Sequence, residues 1–141
     1  MKGLATSRYQ AKDLIVASGL LAVGISIGEP KFPLGYECVY LTRLAPWGLR
    51  RIGDDDEFTR RDRERVDAIG VATLRRHFHA ISADNNGRGL VLLCFEEPGE
   101  FCNRRVLAEW WEEQTGHKVP ELQDDQFGLF DGNRGLSAGD D

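Results

Sequence analysis

The chain has 141 residues, 41% of them hydrophobic and 29% charged, which is the make-up of an ordinary globular protein at the length of a single domain. Its longest apolar stretch, Leu14 to Ile27, is broken by Ser18, Gly19, Gly24 and Ser26, which excludes a membrane-crossing helix there; Met1 to Thr6 lacks the apolar core of a secretory leader, so a cytoplasmic protein is expected. The formal net charge of -5 is uneven: residues 1–122 hold 17 Lys/Arg against 18 Asp/Glu, whereas 123–141 hold Arg134 against five aspartates, which separates a near-neutral domain (1–122) from an acidic tail (123–141).

In chain order, Gly3 to Thr6 is apolar enough for a short strand, and Ser7 is placed to cap a helix from about Tyr9 to Ser18 that stops at Gly19. Leu20 to Ile27, rich in Val and Ile and closed by Gly28-Glu29-Pro30, has the pattern of a buried strand, so the chain opens as β-α-β. Gly28 to Tyr36 is a loop, Cys38 to Thr42 a short strand, and Pro46-Trp47-Gly48 another loop. Asp54-Asp55-Asp56-Glu57 suits the positive end of a helix running from about Glu57 to Ile69, which breaks at Gly70 and resumes from Val71 to Ala83. Leu74, Phe78 and Ile81 share one face of that second half, and Asn85-Asn86-Gly87 turns the chain. The uninterrupted run Leu90 to Phe95 is the best candidate for a central strand covered on both faces. A helix from about Asn103 to Thr115 follows, burying Leu107, Trp110 and Trp111 and ending at Gly116; Val119-Pro120-Glu121-Leu122 suits an edge strand, where proline is tolerated. The alternation predicts an α/β fold: a small, open, mostly parallel sheet with helices on both faces, plus a flexible C-terminal tail.

Ligands of open parallel sheets bind beyond the carboxyl ends of the strands, so candidate residues can be named from those ends. They are Ser7 and Arg8, Ser26, Cys94 and Glu96, and then Asn103, Arg104 and Arg105 at the start of a helix. Arginines converging with a helix N-terminus favour an anion, so a nucleotide or nucleic-acid phosphate is the expected ligand. Cys102 is the candidate nucleophile, because the helix dipole and neighbouring Arg104 and Arg105 both favour its thiolate, and Glu96 is the candidate general base. Against this stands cysteine's common use as a small buried apolar residue. Three cysteines are an odd count for a disulfide framework, and no pair has the spacing of a structural zinc site; no metal site is expected and no cofactor is indicated. Arg60, Arg61, Arg63 and Arg65, interleaved with Asp62, Glu64 and Asp67, read as a solvated helix face.

Gly89 to Glu96, the following Cys102-Asn103-Arg104-Arg105, and Leu107-Ala108-Glu109-Trp110 continuing to Val119-Pro120-Glu121-Leu122 resemble domain of unknown function family 488. Thr6-Ser7-Arg8-Tyr9 and Gly24 to Gly28 look like its short actinobacterial and phage members, so the resemblance covers about residues 4–122. It implies a fold and a site location but no reaction. Where the family has Cys-His-Arg, this chain has Cys102-Asn103-Arg104, which removes a histidine beside the thiol.

In the tail, Gln126-Phe127-Gly128-Leu129-Phe130 resembles the pentapeptide by which bacterial replication and repair proteins dock on the β sliding clamp, with Gln126, Leu129 and Phe130 matching. Two functional expectations follow. One is a DNA-metabolism accessory protein docked on the clamp through Gln126, Phe127, Leu129 and Phe130, its domain holding a phosphate-bearing ligand. The other is an enzyme processing a nucleotide or nucleic acid with Cys102, or an inactive protein-binding relative of one.

Overall fold

A computed structural model describes residues 3–49, 51–96 and 102–123; the docking pentapeptide lies outside them. Strands β1 (Leu4–Arg8), β2 (Leu21–Gly24), β3 (Cys38–Tyr40) and β4 (Leu90–Cys94) form one parallel sheet in the order β1-β4-β2-β3. The continuous apolar run is β4, central as its composition predicts: Leu90 pairs with Leu4 on one side and Leu21 on the other, and the strand is buried throughout.

The helices are α1 (Lys12–Ser18), α2 (Asp55–Ile69), α3 (Val71–Ala83) and α4 (Asn103–Thr115). Alternate residues of each strand point to opposite faces. Leu4, Leu21, Val23, Leu90 and Leu92 therefore meet Val66 of α2, Phe78 of α3, and Leu107, Trp110 and Trp111 of α4. Ala5, Ala22, Val91 and Leu93 meet Ile15 of α1 and the 28–36 loop through Phe32, Leu34 and Tyr36. Helices thus lie on both faces.

Several boundaries differ from expectation, each for a local reason. Ser7 caps nothing: it belongs to β1, opposite Leu93, and Tyr9 is buried with its amide donating to the Cys94 carbonyl at 3.1 Å, so α1 starts only at Lys12. Helix α2 starts two residues earlier than expected because the Asp54 carboxylate accepts the amides of Asp56 and Glu57, at 2.8 and 3.1 Å. The chain leaves the β3 ladder at Leu41, since Thr42–Leu44 winds into a 3-10 turn. Residues 119–122 are a single parallel bridge from Glu121 to Thr6, in which the Pro120 carbonyl accepts the Thr6 amide at 2.9 Å. Lacking an N–H of its own, Pro120 can serve that ladder only as acceptor.

Candidate functional site

The connections after β1 and β2 cross the α1 face of the sheet, whereas β4 passes the chain to α4 on the other face. Exits that diverge in this way leave a crevice at the carboxyl ends. A cavity of about 900 Å³ occupies it, reached by Ser26, Cys94, Glu96, Cys102 and Asn103 of the residues expected from sequence. Its walls include Phe32, Phe58 and Phe95, and its charged groups among the described residues are Glu29, Asp55 and Glu96 against Lys31.

The Sγ atoms of Cys94 and Cys102 and a carboxylate oxygen of Glu96 lie within 4.8 Å of one another. Sequence spacing alone gave no reason to expect such a donor set, because it forms only when the start of α4 docks against the end of β4. Cys102 sits at the N-cap of α4 in extended conformation. Asn103 holds that first turn in place: its buried amide donates to the Ile25 carbonyl at 3.2 Å and the Leu44 carbonyl at 3.3 Å. Asn103 here ties the helix to the end of β2 and to the 3-10 turn.

Arg104 is 1% exposed. Its Nε and Nη2 donate to the two oxygens of Glu121 at 3.0 and 2.9 Å, and its Nη1 donates to the Cys94 sulfur at 3.0 Å. A bidentate carboxylate contact is what makes a buried guanidinium tolerable. Thr6 Oγ1 donates to Glu121 at 2.6 Å and accepts from Arg105 Nη1 at 2.8 Å, while Arg105 also donates to the Val119 carbonyl at 2.9 Å. Arg104 and Arg105 therefore lock residues 119–122 to β1, and neither lines the cavity. Arg8 and Ser7 line a separate pocket of about 410 Å³ beside α1. The arginine cluster expected to hold a phosphate is not assembled at the strand ends.

The two thiols shift each other in opposite directions. The hydrogen bond from Cys94 holds the Cys102 thiol below its ordinary range, against the opposing effect of burial and helped by the Arg104 charge and the Arg105 backbone amide. The same bond pushes Cys94 up, and burial and the negative charge of Cys102 push it further. The contact between the two sulfurs thus favours the thiolate at Cys102 and disfavours it at Cys94, with the Arg104 guanidinium favouring negative charge on either. Burial alone would raise the Glu121 carboxyl, but its bonds from Arg104 and Thr6 bring it below the usual range.

No protein-family model, curated protein or solved structure matches the chain.

Sequence reasoning missed Lys31, Glu29, Asp55 and the phenylalanines of the cavity wall. Apart from Phe95, which follows β4, they come from the 28–36 loop and the start of α2, and nothing in their local pattern marks them. It also missed Glu121 as the partner of Arg104, seventeen positions along the chain.

Proposed function

We propose that this chain is a thiol-dependent enzyme whose substrate lies in the cavity at the strand ends and meets Cys102 as nucleophile, with Glu96 as general base. The observation that carries this reading is the convergence of two thiols and a carboxylate within 4.8 Å on the wall of that cavity, at the start of a helix and with a buried guanidinium behind them. A nucleophilic cysteine needs its thiolate at working pH, and the helix N-terminus and fixed cation supply the field for it. The resemblance to domain of unknown function family 488 supports the same location, since its motif falls on the strand end at Cys94 and Glu96 and on the helix start at Cys102.

A nucleotide or nucleic-acid substrate would meet its phosphate with Lys31 and the first amides of α4, because Arg104 and Arg105 are engaged elsewhere. Three carboxylates on the same wall oppose a polyanion, so the charge of the cavity favours a smaller or partly cationic substrate. Timed alkylation with iodoacetamide across pH, read by peptide mass spectrometry, tests the reading. Cys102 is expected to react with a midpoint below the ordinary thiol value of about 8.5, ahead of Cys38, whose thiol burial pushes up. A Cys102 that alkylates no earlier than Cys38 defeats it.

The second reading, docking on a bacterial β sliding clamp, is supported by the pentapeptide Gln126 to Phe130. A Leu-Phe pair filling an apolar pocket beside a glutamine amide can anchor a short peptide. Calorimetry of the full chain against a sliding clamp should give saturable binding that disappears in the double variant Leu129→Ala, Phe130→Ala. Binding that survives the double variant, or no binding at all, removes this reading.

A further inference from the structure

The reading of Cys102 as nucleophile leaves Cys94 without a chemical role, although both sulfurs line the same cavity. Cys94 ends β4 and Cys102 opens α4, and each is nearly enclosed, at 2% and 4% exposure, so any reagent must reach them from inside the cavity. Two sulfurs and a carboxylate within 4.8 Å can do one of two things: hold a soft divalent cation, or let the sulfurs join. The surroundings decide between them. Arg104 Nη1 lies 3.0 Å from the Cys94 sulfur and is fixed there by Glu121, so a cation bound to that sulfur would have a buried positive charge beside it. The set also offers three protein donors, one fewer than the closed tetrahedral site of a structural zinc. A sulfur–sulfur bond needs no charge compensation. When it is opened again, the same guanidinium stabilises the departing Cys94 thiolate.

We infer that Cys94 and Cys102 are a reversible dithiol–disulfide couple that reduces disulfide substrates bound in the cavity, with Cys102 attacking and Cys94 resolving. This rests on the reading of Cys102 as nucleophile and adds a second cysteine and a substrate class. In the first step the Cys102 thiolate attacks one sulfur of the substrate R–S–S–R; a Cys102–S–S–R bond forms, the substrate bond breaks, and one RS⁻ leaves. In the second, the Cys94 thiol gives its proton to Glu96 and its sulfur attacks the Cys102 sulfur. The Cys94–Cys102 bond forms and the second RS⁻ leaves, so two electrons have passed from the cysteine pair to the substrate. The two leaving thiolates take up the Glu96 proton and one from solvent. An external dithiol returns the couple to its reduced state by the reverse exchange. The two sulfurs must close from within 4.8 Å to about 2 Å, the bonding distance of a disulfide. Charge on the wall selects the substrate. Glu29, Asp55 and Glu96 outnumber Lys31, so an amine-bearing disulfide enters more readily than an anionic one.

The test uses the full chain, reduced and desalted, then mixed with cystamine or with glutathione disulfide at equal concentration, quenched by alkylation and mapped by mass spectrometry. Expected is a Cys94–Cys102 cross-link with loss of two hydrogens, formed with cystamine on the order of tenfold faster than with glutathione disulfide. In Cys94→Ser, with Cys94→Ala beside it to guard against a folding defect, the reaction should stop at a cysteamine adduct on Cys102. Four results would overturn the proposal. The first is a Cys102 that alkylates readily at neutral pH in the unaltered chain while neither disulfide gives a Cys94–Cys102 cross-link there; the nucleophile reading then survives and only the couple falls. The second is a Cys102 inert to both reagents, in which case both readings fall. The third is a rate with glutathione disulfide equal to or above that with cystamine, which removes the substrate class. The fourth is stoichiometric zinc that binds the reduced chain and protects Cys94 and Cys102 together, which makes the set a metal site.

Discussion

Replacing Glu121 by glutamine leaves the Arg104 guanidinium, 1% exposed, facing a neutral partner. Removing one member of a buried ion pair costs about 3 to 5 kcal/mol, because the other charge stays buried without compensation. Glutamine keeps one acceptor for Arg104 and for Thr6, which places the loss at the lower end, about 3 kcal/mol. For a domain of this size each kcal/mol moves the melting temperature by roughly 3 to 5 °C, so a drop of about 10 to 15 °C is expected. Urea unfolding followed by circular dichroism measures the free energy directly. A second variant separates charge burial from packing: Arg104→Leu with Glu121→Leu removes both charges and should recover most of the loss. That double variant also takes the cation away from Cys94, so it should be stable yet show a Cys102 thiol that ionises at higher pH. A cost below about 1 kcal/mol for Glu121→Gln, the range of an exposed pair, would refute the claim that this ion pair frames the site.

Asn103→Ala takes the buried amide from the Ile25 and Leu44 carbonyls and should cost about 1 to 2 kcal/mol in the same unfolding assay. Gly24→Ala places a methyl against the Tyr9 hydroxyl and the Tyr40 ring, and overpacking of this kind should cost about 1 to 3 kcal/mol; a neutral effect would mean that the two tyrosines yield freely. Asp62, buried in α2 beside Arg65, is pushed up to about 6 by burial. Its neutral form is therefore favoured on folding, so its stabilising contribution is complete below the unfolded carboxyl value, about 3.9, and fades as pH rises through 6. Asp62→Asn should flatten stability across that window. An unchanged slope between pH 4 and 6 in urea titrations contradicts the assignment. Glu121 has the opposite sign: with its carboxyl held low, the contribution is present above the ordinary glutamate range and is lost as pH falls through the lowered value.

The sheet was legible because its central strand carries no ambiguity: six apolar residues in a row, Leu90 to Phe95, have to be covered on both sides. The break between α2 and α3 was equally plain at Gly70, whose φ of 88° is one that other residues rarely adopt. The start of α1 was not, because Ser7 has the composition of a cap and only the β1 ladder shows that its backbone is already used. The strand-end rule led to Cys94, Glu96 and Cys102, but it could not say that the arginines beside them turn inward. That depends on Glu121, which comes within reach of Arg104 only once residues 119–122 lie alongside β1. The α2 arginines taken for a solvated face conceal another such contact: Arg65 pairs with buried Asp62 and reaches the Ala45 carbonyl. The helical spacing of Phe58, Asp62, Val66 and Ile69 is the signal that would have placed Asp62 on the inner face.

The central claim, a Cys102 thiol held below its ordinary range beside a Cys94 thiol pushed above it, is tested most directly by a carbon NMR titration of the chain labelled at cysteine Cβ. The Cys102 signal should move with a midpoint below about 8.5, Cys94 should titrate at higher pH than Cys102, and the Arg104→Leu, Glu121→Leu variant should shift the Cys102 midpoint upward. Three cysteines titrating together in the ordinary thiol range, unaffected by loss of Arg104, would contradict it.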